Sequence, residues 1–216
     1  AIILYRLSPM THAATSILFQ FFRWRSQTAL AQKIILAFAM ATLTGLAAQI
    51  HIPLWFTPVP ITGQTFAVLL SGIILGRNWG GISQIIYVSL GAIGLPWFGG
   101  ATAGLAILSG PTGGYIIGFI LAAFFLGHMV DQHVSSMRFF NLLGLMLFAH
   151  LFCIFLPGLI QLGMWLSFVK SDSFSIHRIL QLGFYPFVIG LVVKTILAAG
   201  IASSLLPKIK YSKSEE

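Results

Sequence analysis

Residues 34–76 read IILAFAMATLTGLAAQIHIPLWFTPVPITGQTFAVLLSGIILG, 43 positions without a single Asp, Glu, Lys or Arg. Crossing a bilayer as a helix takes about 20 mainly apolar residues, so this stretch is long enough to cross twice. The break between the two crossings is written in Pro53, Pro58 and Pro60, which interrupt a helix, and in Trp55 and Phe56, which suit the boundary between hydrocarbon and water. The reading is a first span at about 33–50 and a second at about 61–76, the latter closed by Arg77-Asn78.

The same pattern extends along the chain. Charges are absent from 78–130 (53 residues), from 139–169 (31 residues) and, apart from Lys194, from 179–207 (29 residues). These runs hold further spans at about 79–95, stopped by Pro96, and at about 115–130, 139–160 and 181–206. With 57% hydrophobic and 7% charged residues, against roughly 25% charged in soluble domains, the expected fold is an all-α integral membrane protein, a bundle of six transmembrane helices. Residues 1–32 form an N-terminal extension, 33–207 the membrane domain and 208–216 a tail. The first methionine is Met10, so no function rests on where the numbering begins, and Ile17 to Trp24 reads as an interfacial segment.

A net charge of +8 would suggest nucleic acid in a soluble protein, but here the positive residues stand singly between apolar runs and report topology. Placing the N-terminus inside puts Arg23, Arg25, Lys33, Arg77, Arg138, Lys208, Lys210 and Lys213 on the cytoplasmic side and only Lys170 and Arg178 outside. Both termini are therefore expected in the cytoplasm, the chain passing several times through a bacterial cytoplasmic (inner) membrane with lipid around it. No nucleic-acid role is expected. The lone Cys153 supplies neither a disulfide nor a multi-Cys metal site, and no metal is expected.

Lys194 is the one charge inside a predicted span, about ten residues in, too deep to reach the surface easily. A central lysine costs roughly 2.5–3.5 kcal/mol on insertion scales, so such residues face a cavity and a partner. None of the four acidic residues, Asp131, Asp172, Glu215 and Glu216, falls within a span. The missing anion is then a ligand, or the lysine is bonded to helix carbonyls or held neutral by burial. From Pro96 to Gly114, six glycines and two prolines argue against a helix while the segment stays uncharged. It reads as a lid over a site or as a close-packed connector, since irregular backbone at membrane depth is buried or lines a cavity. Gln49, Gln64 and Gln84 either bond between helices or read a ligand. Ala37, Ala41 and Gly45 make a smooth stripe on the first span, fit for packing inside the bundle or against another protein. His150 with Ser71 or Ser109 leaves a membrane-embedded hydrolase as a distant alternative, although no Gly-x-Ser-Gly surrounds either serine. No P-loop is present, so ATP is not bound by that route.

Four stretches together carry a resemblance: Ala48-Gln49-Ile50, Thr57-Pro58-Val59-Pro60-Ile61-Thr62-Gly63-Gln64-Thr65-Phe66, Leu90-Gly91-Ala92-Ile93-Gly94-Leu95-Pro96, and Gly110-Pro111-Thr112-Gly113-Gly114-Tyr115 with Gly118-Phe119. Over about 37–207, and densely over 48–119, the chain resembles the BioY family, the biotin-capturing S components of energy-coupling factor (ECF) transporters. The resemblance implies a six-helix protein that takes biotin from the outer face, with no cofactor and no catalytic residue. Its partners would be one transmembrane coupling subunit and two ATPase subunits. It implies substrate contacts at Gln64, Gly113, Gly114 and Tyr115 and a coupling-subunit surface at Ala37 and Ala41, with Gly45 continuing the same stripe; Lys194 and, in the glycine-rich loop, Phe98 and Gly99 are expected substrate contacts from the residue pattern itself. In one place the chain departs from the family. The last span reads Pro186-Phe187-Val188-Ile189-Gly190-Leu191-Val192-Val193-Lys194, with Leu191 where the family tends to carry an acid one turn before the lysine. That departure leaves open an S component for another small anionic, vitamin-like substrate.

Overall fold

In a computed structural model, residues 29–132, 138–169 and 175–205 are described. The chain order is α1 (Leu30–Ala48), strands β1 (His51–Ile52) and β2 (Ile61–Thr62), α2 (Gln64–Ala92), a short α3 (Leu105–Ser109), α4 (Gly113–Gln132), α5 (Phe139–Phe148), a π-helical stretch (Ala149–Phe155), α6 (Leu156–Val169), α7 (Ile176–Gly183), a 3-10 turn (Tyr185–Phe187) and α8 (Val188–Leu205). Among the described residues, five helical stretches are long and apolar enough to cross a membrane: Leu30–Ala48, Gln64–Ala92, Gly113–Gln132, Phe139–Val169 and Ile176–Ser204. The interfacial reading of Ile17 to Trp24 and the charges Arg23, Arg25, Lys170, Lys208, Lys210 and Lys213 lie outside the described residues.

The two spans expected at 61–76 and 79–95 fall within one element, α2, and Gly76 explains how. Its φ of 79° and ψ of −177° interrupt the helix in a region that essentially only glycine occupies. The two arms then lie side by side. A Cβ on Gly80 would sit 2.7 Å from the Cα of Gly72, Gln84 Nε2 donates to Ser71 Oγ at 3.0 Å, and Gln64 Nε2 donates to the Tyr87 hydroxyl. Next to the break, the Arg77 amide donates to a carboxylate oxygen of Asp131 at 2.8 Å, tying the bend in α2 to the end of α4.

The fifth expected span is longer than 139–160 and contains the π-helical stretch. Pro157 has no N–H to offer the carbonyl of Cys153 four residues back, and the wider turns occur immediately before it. The sixth is split: α7 ends at Gly183, Pro186 sits in the 3-10 turn, and α8 begins at Val188. Between Pro96 and Gly114, where no helix is expected from sequence, one short turn forms, α3. The core is made by α2 and α4 at the centre, with α1 on one side and α5, α6 and α8 on the other. Fully buried Tyr87, Phe98, Leu69, Leu126, Leu142 and Met146 fill it. Large apolar side chains such as Ile35, Phe140 and Ile189 point outward, the arrangement expected of a protein solvated by lipid.

Candidate functional site

A cavity of about 290 Å³ opens where the two long loops meet α4, the π-helical stretch and α8, at the small end of the range for ligand sites. The hairpin loop and the start of α2 contribute His51, Pro58, Val59, Pro60, Thr62, Gln64 and Thr65. The second loop contributes Gly99, Thr102, Ala106, Ile107, Gly110, Pro111 and Thr112. Tyr115, Ile116 and Phe119 of α4, His150, Ile154 and Phe155 of the π-helical stretch, and Phe187, Leu191 and Lys194 complete the wall. It is an apolar and aromatic chamber with a few polar groups.

Lys194 reaches across to the hairpin: its ammonium donates to the Thr62 carbonyl at 3.0 Å, which occupies one of its three hydrogens. β2 is itself held in place. Thr62 Oγ1 donates to Gln64 Oε1 at 2.7 Å, Gln64 Nε2 donates to Tyr87 Oη, and the Trp97 indole donates to the Tyr87 carbonyl at 2.9 Å. Gln64 therefore lines the cavity with both ends of its amide engaged by the protein. Tyr115 Oη donates to the Gly183 carbonyl at 2.9 Å, so its hydroxyl is committed to α7, and its ring stands at 89° to that of Phe155.

Of the residues expected to contact substrate, Lys194, Gln64, Tyr115 and Gly99 lie in the cavity wall, whereas Phe98, Gly113 and Gly114 do not. Phe98 is fully buried beneath the loop, edge-on to Tyr87. The two glycines serve close packing. A Cβ on Gly113 would meet the Leu108 carbonyl at 1.8 Å, and one on Gly114 the Pro157 carbonyl at 2.2 Å. The stripe expected to meet a coupling subunit is also turned inward. Ala37 and Ala41 are 0% exposed, Gly45 lies under the Trp97 side chain, and Thr44 on the same face is bonded to Gln84 of α2. A smooth face allows close approach by any helix, and here α2 takes that place. Sequence reasoning missed Thr65 as a wall residue, and it considered His150 only as a catalytic base. Chemically, His150 binds Thr195, while Ser71 bonds to Val68 and Gln84, and Ser109 to its own helix. Neither Ser71 nor Ser109 is paired with the imidazole. Among the described residues no His, Cys, Asp or Glu cluster could hold a metal.

The second loop has two differently held parts. Gln49, directly after α1, donates to the Phe98 carbonyl at 3.3 Å and accepts from the Ala101 amide at 2.9 Å, holding Ala101 at a φ of 57°. Beyond it, α3 buries no residue and is tied down by Gln161 Nε2, which donates to the carbonyls of Leu108 at 2.6 Å and Gly110 at 2.8 Å.

Comparison with known proteins agrees with this architecture. The model of the BioY family matches residues 14–211, starting upstream of the stretch over which the motifs were recognised. A probable biotin transporter BioY of Methanothermobacter thermautotrophicus is 44% identical over 144 residues, covering 67% of this chain and 92% of that protein. The biotin transporter BioY of Thermotoga maritima is 36% identical over 174 residues, covering 81% and 95%. A crystal structure of the S-component for biotin from an ECF-type ABC transporter superposes with a TM-score of 0.71 at 26% identity, covering 81% of this chain and 90% of that one. With a family match running nearly end to end, this multi-pass membrane protein belongs to the BioY family.

Proposed function

We propose that the chain is the biotin-capturing S component of an ECF transporter: it binds biotin in the cavity beneath the two loops, and its carboxylate pairs with Lys194. The observation that carries this reading is the ammonium of Lys194 in the wall of an otherwise apolar chamber, bonded to one carbonyl. A buried cation is costly alone and far less so beside an anion with good geometry, and biotin supplies that anion. The aromatic wall, Tyr115, Phe119, Phe155 and Phe187, gives the bicyclic head an apolar enclosure. Binding is the whole chemistry, and energy for release comes from a partner module of one coupling subunit and two ATPases. The contact surface for that module is not assigned to Ala37, Ala41 and Gly45, which the chain itself covers.

The arms of α2 count as two crossings in this reading, which makes six spans with both termini in the cytoplasm. The pairing of Gly72 with Gly80 across the break and the eight-to-two split of positive charges support it. Reporter fusions should place the C-terminus inside; an external C-terminus would contradict the six-span count.

Leu191 in the cavity wall favours a second reading, an S component for a different small anionic, vitamin-like substrate. Mass spectrometry of small molecules released from the purified protein separates the two. Biotin is expected; a different anionic compound with biotin absent would establish the second.

A further inference from the structure

His150 is 0% exposed, and one of its ring nitrogens is accounted for. Nδ1 lies 2.9 Å from Thr195 Oγ1, and that hydroxyl lies 2.7 Å from the Leu191 carbonyl one turn back on α8. A hydroxyl has one hydrogen. Given to Leu191, it leaves Thr195 only lone pairs for His150, so Nδ1 carries the imidazole hydrogen and Nε2 carries a lone pair. Nε2 is buried and has no hydrogen-bond partner among the described residues, and His150 is part of the cavity wall. Buried polar atoms are nearly always satisfied, so an acceptor left open beside a chamber points to a donor that arrives with the ligand.

We propose that His150 Nε2 accepts a hydrogen bond from a ligand N–H, and, resting on the biotin reading above, that the donor is one of the two ureido N–H groups. The chemistry selects them. Biotin's carboxylate, ureido oxygen and thioether sulfur only accept, and its ureido N–H groups are its only polar donors. Thr65 Oγ1, the other buried atom without a partner among the described wall residues, is a hydroxyl that both donates and accepts and so imposes no such choice. Leu191 on α8 offers the ureido no side-chain acceptor, and the imidazole supplies one from the π-helical stretch.

The test uses the full-length protein in detergent, titrated with biotin and with two cyclic carbamate analogues in which a ring oxygen replaces one or the other ureido N–H. The wild type should bind one analogue roughly ten- to a hundredfold more weakly than biotin, the range for leaving a buried partner unsatisfied. His150→Phe should erase that preference, and His150→Gln, whose amide can donate to Thr195 and accept from the ligand, should keep it. No biotin binding by the wild type would overturn the biotin reading itself. Biotin binding with equal affinity for both analogues overturns the role of His150 alone, as does a preference that survives in His150→Phe. If the Phe variant fails to fold, the wild-type preference and its retention in the Gln variant still decide the point.

Discussion

At Gln84 the side-chain amide meets three hydroxyls, Thr44, Ser71 and Ser83, at 3.2, 3.0 and 3.2 Å, and each hydroxyl donates in turn to a carbonyl of its own helix. That cluster joins α1 to both arms of α2 and contributes nothing to the chamber wall, although Gln84 Oε1 has no hydrogen-bond partner among the described residues. Around Lys194 the groups are of the same kind, yet the cluster stays open on one side: the ammonium spends one hydrogen on Thr62, and the unpartnered atoms of Thr65 and His150 belong to residues of the chamber wall. Polar groups in an apolar bundle are thus of two sorts. Those that close on neighbouring helices hold the bundle together, and those left open in the chamber wall beside Lys194 mark where a ligand completes them; Gln84 Oε1, open but away from that wall, shows that a missing partner alone marks no site.

The largest break in this contrast should come from Lys194→Met, which keeps much of the stem and removes the charge. Biotin affinity should fall by about 2–5 kcal/mol, the scale for truncating one partner of a buried charged pair, read by calorimetry. Thermal stability of the empty protein should change little, because the loss of a charged hydrogen bond to Thr62, about 1.5–3 kcal/mol, is offset by removal of a costly buried cation. Gln64→Leu sits between the clusters, since its amide faces the cavity yet is engaged by Thr62 and Tyr87. It should destabilise the fold by about 1–3 kcal/mol through orphaned partners and weaken biotin less than Lys194→Met does. Gln84→Met should be mildest. The three hydroxyls keep their backbone acceptors, so stability should move by about 1 kcal/mol or less, with biotin affinity unchanged. A large loss of biotin affinity in this variant would erase the distinction between the clusters.

A smaller effect belongs to the second loop. Hydrogen exchange should slow on biotin addition across 105–112, where α3 buries nothing, and change little across 96–104, already pinned by Gln49 and by Trp97. Equal protection of both parts would mean the whole loop closes as one unit, and unchanged exchange at saturating biotin would count against any lid.

Much of this was legible in the residues because charge and proline are strong signals. Arg77-Asn78 falls at the break in α2, and Lys194 and Gln64 lie in the cavity wall, because a charge or amide in an apolar run must be accommodated somewhere polar. Other features had no such signal. Ala37, Ala41 and Gly45 specify a smooth face but not which helix lies on it. Gly113 and Gly114 fit a loop that approaches a ligand as well as one that approaches a carbonyl. His150 stands in a run whose only hint of wider turns is Pro157, and its missing partner emerges only once Thr195 is seen to occupy Nδ1.

The account rests most heavily on Lys194 reading the carboxylate, and one calorimetric cycle addresses it: wild type and Lys194→Met, each titrated with biotin and with its neutral amide. The wild type should bind biotin far better than the amide, and the variant should bind both about equally weakly, so that the coupling between charge and carboxylate accounts for most of the loss. Comparable losses for biotin and the amide in the variant would show that Lys194 is a structural residue bonded to Thr62 and that the carboxylate is read elsewhere.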